Sequence, residues 1–124
     1  MINDVEYKEF VAGISSICSS DYQALINRMN RMSSEENVRV EVLLTAALGL
    51  SGEAGEFADH VKKLMFHDKV YDEKRRGEMI LELGDIMWYV MQACIVLKVE
   101  LSDVVQLNEE KLKSRHEGLS FKTA

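Results

Sequence analysis

Residues 79–97 read MILELGDIMWYVMQACIVL, from Met79 to Leu97. Almost every position is apolar, aromatic or small. A helix that is apolar all round is buried all round, so this segment predicts the central helix of an all-α protein. Yet Glu82 and Asp85 interrupt it. Working outward, the spacing predicts a helix over about Lys74–Lys98, preceded by a charged segment, His67 to Gly77, with a turn near its start. Before that, apolar positions at helical spacing run from about Glu35 to Phe66, with Ser33 and Glu36 spaced as a capping box. Val5–Ile17 and Tyr22–Met32 carry the same period. Ser102 predicts the N-cap of a last helix ending near Arg115, before Gly118. The chain has no proline, in keeping with long helices. The expectation is a helical bundle of about five helices around a central apolar helix, a single domain over residues 1–124.

Composition narrows the function. The chain has 124 residues, 47% hydrophobic and 29% charged, as suits a globular protein with a core. With 21 acidic side chains against 15 basic ones, the formal charge is −6. Such a surface repels nucleic acid and anionic membranes, so neither is expected as a partner. No window of 18 residues is apolar without a charge, so no transmembrane span is expected; the longest apolar run, Ile86–Leu97, is broken by Gln92. The acidic N-terminus, MINDVEYKEF, lacks the pattern of a secretory signal. Cys18 and Cys94 form no CxxC pair and read as reduced, buried thiols of a cytoplasmic protein. No phosphate-binding Gly-x-x-x-x-Gly-Lys loop and no His-Glu-x-x-His zinc motif occur. No histidine stands three residues after a glutamate, so the Glu-x-x-His signature of di-iron bundles is missing.

Chemistry gathers in two stretches. One is GLSGEAGEFADHVKK, Gly49–Lys63; the other is Glu82-Leu83-Gly84-Asp85. Glu53 and Glu56 are three apart, as are Glu82 and Asp85, which puts each pair on one helix face. Like charges so placed repel, and burying them unpaired costs several kcal/mol per ion. Leu50, Phe57, Val61 and Leu64 form an apolar arc bordering Glu53, and Ile86, Val90 and Ala93 flank Glu82. If these helices pack antiparallel, four carboxylates converge. Oxygen donors without His or Cys suit Mg²⁺, with Mn²⁺ as a substitute.

Other residues admit two readings each. Asp59 extends the series as a further ligand, or pairs with Lys62 or Lys63. Lys63 meets a phosphate, or is a surface lysine. Tyr89 falls between Glu82 and Asp85 on the helical wheel and points towards the site, where its ring suits a nucleobase. Trp88 reads as core or subunit interface. His60 lies between Glu53 and Glu56 on the wheel, beside the site or on the surface. Asn108, Lys111 and Arg115 form one stripe, either a solvated face or a phosphate- and ribose-binding edge. Gly49, Gly52, Gly55 and Gly84 mark close helix approach, a helix break, or room for a ligand.

Three segments, GLSGEAGEFADHVKK, ELGDIMWYV and LNEEKLKSRHEG, together resemble the all-α nucleoside triphosphate pyrophosphohydrolases, the MazG-like superfamily, in its compact single-domain branch. Members share Glu-Glu-x-x-Glu followed by Glu-x-x-Asp; here Gly52 replaces the leading Glu. The resemblance implies hydrolysis of (deoxy)nucleoside triphosphates to the monophosphate and pyrophosphate, in nucleotide pool control. It implies that Glu53, Glu56, Glu82 and Asp85 ligate Mg²⁺, and that a carboxylate, Glu56 before Glu53, orients or deprotonates the attacking water. It turns Lys63, Tyr89, Asn108, Lys111 and Arg115 towards substrate binding, and favours a homo-oligomer, dimer or tetramer. Cleavage of phosphoribosyl-ATP, or a non-enzymatic helical module binding nucleotide or protein, are the alternatives.

Overall fold

The computed structural model of the chain describes residue 1 and residues 3–117, and these form helices joined by short connections, with no strand. Six helices follow in order: α1 (Asp4–Ile14), α2 (Ile17–Ser20), α3 (Tyr22–Ser34), α4 (Val40–Phe66), α5 (Glu73–Leu97) and α6 (Leu101–Arg115). The all-α class is as read from the sequence. Gly118, expected to follow the last helix, lies outside the described residues.

The chain divides into two compact units, Met1–Val40 and Glu41–Ala124. In the first, serines break the expected Val5–Ile17 helix. Ser15 caps α1 by donating its backbone N–H to Val11, and Ser16 caps α2 by accepting from the Ser19 N–H. Asp21 then caps α3 through the N–H groups of Gln23 and Ala24. The capping box expected at Ser33 and Glu36 does not form. Ser33 lies inside α3, and the Glu36 carboxylate takes both arms of Arg28 at 2.7 and 3.0 Å. A bidentate guanidinium–carboxylate pair outcompetes a backbone N–H for the same oxygens. The next helix accordingly starts at Val40, after Asn37 turns through φ 57°.

The second unit holds the long helices. With 27 residues, α4 extends about 40 Å. Asp72 caps α5 by accepting from the Arg75 N–H, and Lys98 ends it in the left-handed region at φ 56°. Glu100, not Ser102, occupies the N-cap of α6. The register between α4 and α5 follows from three contacts. Gly49 meets Tyr89, Glu53 meets Glu82 and Asp85, and His60 meets Glu78 and Arg75. Numbers rise along α4 as they fall along α5, so the two helices run antiparallel.

Burial differs from the sequence expectation for α5. Only Cys94 and Val96 of this helix are buried, while Leu81, Trp88, Ile95 and Leu97 are exposed. Among the described residues α5 is also the one helix long and apolar enough to cross a membrane by length and composition, with mean hydropathy 1.6 over 18 residues. Counting uninterrupted apolar residues in the sequence does not register it. Its Glu82 and Asp85 would be costly in hydrocarbon, and both face α4 instead. Cys94 is buried and Cys18 half-buried, both as free thiols.

Candidate metal centre

The centre of the α4–α5 pairing is acidic. Glu53 from α4 and Glu82 and Asp85 from α5 each offer a carboxylate oxygen, all within 4.8 Å of one another. Three of the four carboxylates expected as ligands therefore converge. The fourth, Glu56, is exposed one turn further along α4 and stands outside that group, adding its charge to the field on Glu53.

The electrostatics of Glu53 follow from this crowding. Partial desolvation pushes its carboxyl above the ordinary 4.5, helped by a hydrogen-bond contact with Glu82 and the charges of Asp85, Glu82 and Glu56. Every influence on Glu53 acts in the same direction, and among the described residues no cationic side chain offsets them there. A hard divalent cation fits this donor set: three carboxylates from two rigid helices, oxygen only, close enough to share one ion.

Beside the carboxylates opens a cavity of about 250 Å³ lined by Glu53, Asp85, Trp88 and Tyr89. Gly49 explains the placement of Tyr89. A Cβ at residue 49 would collide with the Tyr89 ring, so glycine lets the phenol lie directly on the α4 backbone. Gly52, Gly55 and Gly84 have no such neighbour and face open space. Of the readings open for these glycines, close approach applies at Gly49 alone. Trp88 is not core: it is 66% exposed and forms the outer wall of the cavity.

The expected basic residues are placed otherwise. Lys63 and Lys62 both bind Asp59, at 2.9 and 3.1 Å, and together hold its carboxyl down to about 2. On α6, Asn108 lines a separate cavity with Val105, Glu109, Leu112 and Lys113, and Lys111 and Arg115 are exposed. None of the three borders the Glu53–Asp85 cavity.

Two residues of the centre carry more than the sequence indicated. His60 Nδ1 lies 3.0 Å from Arg75, and its Nε2 lies 3.6 Å from Glu82. Arg75 stands seven residues before Glu82, two turns away on the same face, and composition alone does not mark it as part of the centre. That periodicity was the available signal; the partner across the helix pair was not.

An antiparallel helix pair with an oxygen-only carboxylate cluster and an aromatic-walled cavity places this chain among all-α proteins with a candidate metal centre. The family model of the MazG nucleotide pyrophosphohydrolase domain matches residues 42–120, which include the whole cluster. The chain belongs to this family. It is also 47% identical over 77 residues to the "Gene 37 protein" of Mycobacterium phage L5, covering 61% of this chain and 68% of that protein. No solved structure matches it.

Proposed function

We propose that this protein hydrolyses (deoxy)nucleoside triphosphates to the nucleoside monophosphate and pyrophosphate in a Mg²⁺-dependent reaction. The observation that carries this reading is the meeting of Glu53, Glu82 and Asp85 within the matched family region, with every influence on Glu53 raising its carboxyl. These three carboxylates would hold the cation. When bound, Mg²⁺ neutralises phosphate charge and polarises the phosphoryl group.

The chain's own residues divide the remaining work. Glu56 is solvent-facing and one turn from Glu53, and in this reading it orients the attacking water and accepts its proton. Glu53 is its alternate in that role. Oxygen from water bonds to phosphorus, the α–β anhydride bond breaks, and pyrophosphate leaves with the bonding pair. Tyr89, held against α4 at Gly49, offers its ring to the nucleobase. Lys63, Asn108, Lys111 and Arg115 are assigned to the phosphates and ribose beyond the cavity, with Arg115 as a forked donor.

A homo-oligomer, dimer or tetramer, forms part of the proposal. Leu81, Trp88, Ile95 and Leu97 leave large apolar side chains of α5 exposed, and a second copy would cover them. No nucleic acid and no membrane partner is proposed, and the setting is cytoplasmic. Monomeric behaviour in light scattering at micromolar concentration would refute the oligomer.

The decisive experiment measures pyrophosphate release over a panel of ribo- and deoxyribonucleoside triphosphates, with Mg²⁺, with Mn²⁺ and with chelator. Release that requires the cation supports the proposal. Turnover of phosphoribosyl-ATP alone would replace the substrate, and inactivity on the whole panel would remove the enzymatic reading.

A further inference from the structure

We propose that His60 is a positioning residue for Glu82, with Arg75 fixing its tautomer; the inference rests on the cation-binding reading above. Arg75 supplies the reason. A guanidinium can only donate, and its terminal nitrogen is 3.0 Å from His60 Nδ1. Nδ1 therefore accepts, and the ring proton sits on Nε2. That N–H stands 3.6 Å from a Glu82 oxygen, too long for a full hydrogen bond but close for a dipole facing a carboxylate. The opposite tautomer would set N–H against N–H at Arg75 and a lone pair against the Glu82 charge. One arrangement of the ring satisfies both neighbours.

The surroundings set this group apart. Among the described residues most charged side chains are exposed, whereas those of His60, Arg75 and Glu82 are only 14%, 18% and 19% exposed. Glu78 closes the network on the Nδ1 side, 3.9 Å from His60 Nδ1 and from Arg75; it stands farther from Nδ1 than the guanidinium does, beyond hydrogen-bond distance, and balances the guanidinium charge. Arg75, Glu78 and Glu82 lie at spacings of three and four on α5, facing one histidine on α4. His60 itself lies two turns beyond Glu53 on α4. The ring thus attaches the α5 carboxylate to the helix that carries Glu53, and holds Glu82 near two like charges before any cation arrives.

Groups that orient metal-binding side chains typically contribute 10–100-fold to metal affinity. The test is Mn²⁺ binding to the full chain, read as free Mn²⁺ by electron paramagnetic resonance, for wild type, Glu82→Gln, His60→Leu and His60→Gln. Circular dichroism checks folding. Glu82→Gln should lose the ion, His60→Leu should bind about 10–100-fold more weakly, and His60→Gln, which can still donate an N–H, should recover most of the loss. Long-range ¹H–¹⁵N spectra of the imidazole should show the Nε2–H form in wild type, and Arg75→Met should abolish that preference. Wild-type affinity in folded His60→Leu, with the ion lost in Glu82→Gln, overturns the role of His60 alone. Wild-type affinity in Glu82→Gln overturns the cation site beneath it. If His60→Leu does not fold, the wild-type ring spectrum decides: an Nδ1–H form overturns the proposal.

Discussion

Glu53 and Asp59 stand six residues apart on the same helix, and their surroundings push them in opposite directions. Asp59 has Lys62 and Lys63 within 3.1 Å, and its carboxyl is held down to about 2. Glu53 has Glu56 on its own helix and Glu82 and Asp85 across from it, and is pushed above 4.5. Both belong to one acidic series at three-residue spacing, so the spacing does not distinguish them. Compensation does. At Asp59 the helix supplies its own cations locally, one turn on. At Glu53 a second helix brings more negative charge, which a proton or, in the proposed function, a cation from solution relieves. An acidic run is compensated within its own helix where its lysines are adjacent, and is a candidate site where a second acidic helix meets it instead.

The largest effect should come from removing a carboxylate contributed by α5. Glu82→Ala or Asp85→Ala should lower cation-dependent pyrophosphate release by roughly 100-fold or more, the scale expected when charge stabilisation by a bound ion is lost. Release assays at saturating Mg²⁺, paired with Mn²⁺ binding, check this. Undiminished release in both variants would erase the contrast between the two regions.

How much of this was legible beforehand depends on the range of each interaction. The helices around Glu53 and Glu82 were legible because periodicity and carboxylate spacing are local properties of one segment. Their antiparallel pairing was expected only conditionally, since register is set by contacts such as Gly49 with Tyr89, forty residues apart in sequence. The capping box at Ser33 and Glu36 failed for a similar reason: Arg28, a non-adjacent residue, takes the carboxylate. Glu56 has the right spacing, yet its turn of α4 faces solvent, so three rather than four carboxylates meet. His60 reads from the sequence as beside the site or on the surface, because its partners, Arg75 and Glu82, belong to another helix. The enclosure expected for α5 rested on its composition, and composition does not say which chain covers a helix.

Gly49 offers a smaller test on the acidic side. Gly49→Ala gains about 1 kcal/mol of helix propensity but forces the Tyr89 ring off α4, an overpacking that costs about 1–3 kcal/mol. Melting temperature should fall modestly, KM for the nucleotide should rise, and Mn²⁺ affinity should hold. Unchanged KM would remove Tyr89 from substrate binding.

The raised Glu53 carboxyl gives a pH-dependent signature. Its native-state value lies above the ordinary 4.5. The folded state therefore holds the proton more tightly, and ionised Glu53 destabilises the metal-free fold. That penalty is complete above the raised value, shrinks as pH falls through it, and is gone below 4.5. Glu53→Gln should therefore melt at a higher temperature than wild type at neutral pH in chelator, and the gap should close on acidification. Added Mn²⁺ should reverse the order, because only wild type retains the full set of ligands. A gap independent of both pH and metal would mean that Glu53 is not crowded by its neighbours.

The smallest effect is expected at Asp59, and it tests the comparison from the other side. Its carboxyl is depressed from 3.8 to about 2, so its pairing stabilises the fold fully above 3.8 and is lost as pH falls through about 2. At neutral pH the pairing is intact, but all three side chains are substantially exposed, and solvent screens such pairs to little net stability. Asp59→Asn should lower the melting temperature slightly, with the difference shrinking in high salt. It should leave Mn²⁺ affinity unchanged and release Lys63, which would then show in a salt-dependent KM if that lysine serves the phosphates. A loss of Mn²⁺ in Asp59→Asn comparable to that in Glu82→Ala would place Asp59 among the cation's ligands. Two adjacent lysines would then not suffice to make a carboxylate a surface group, and the distinction drawn from compensation would fail.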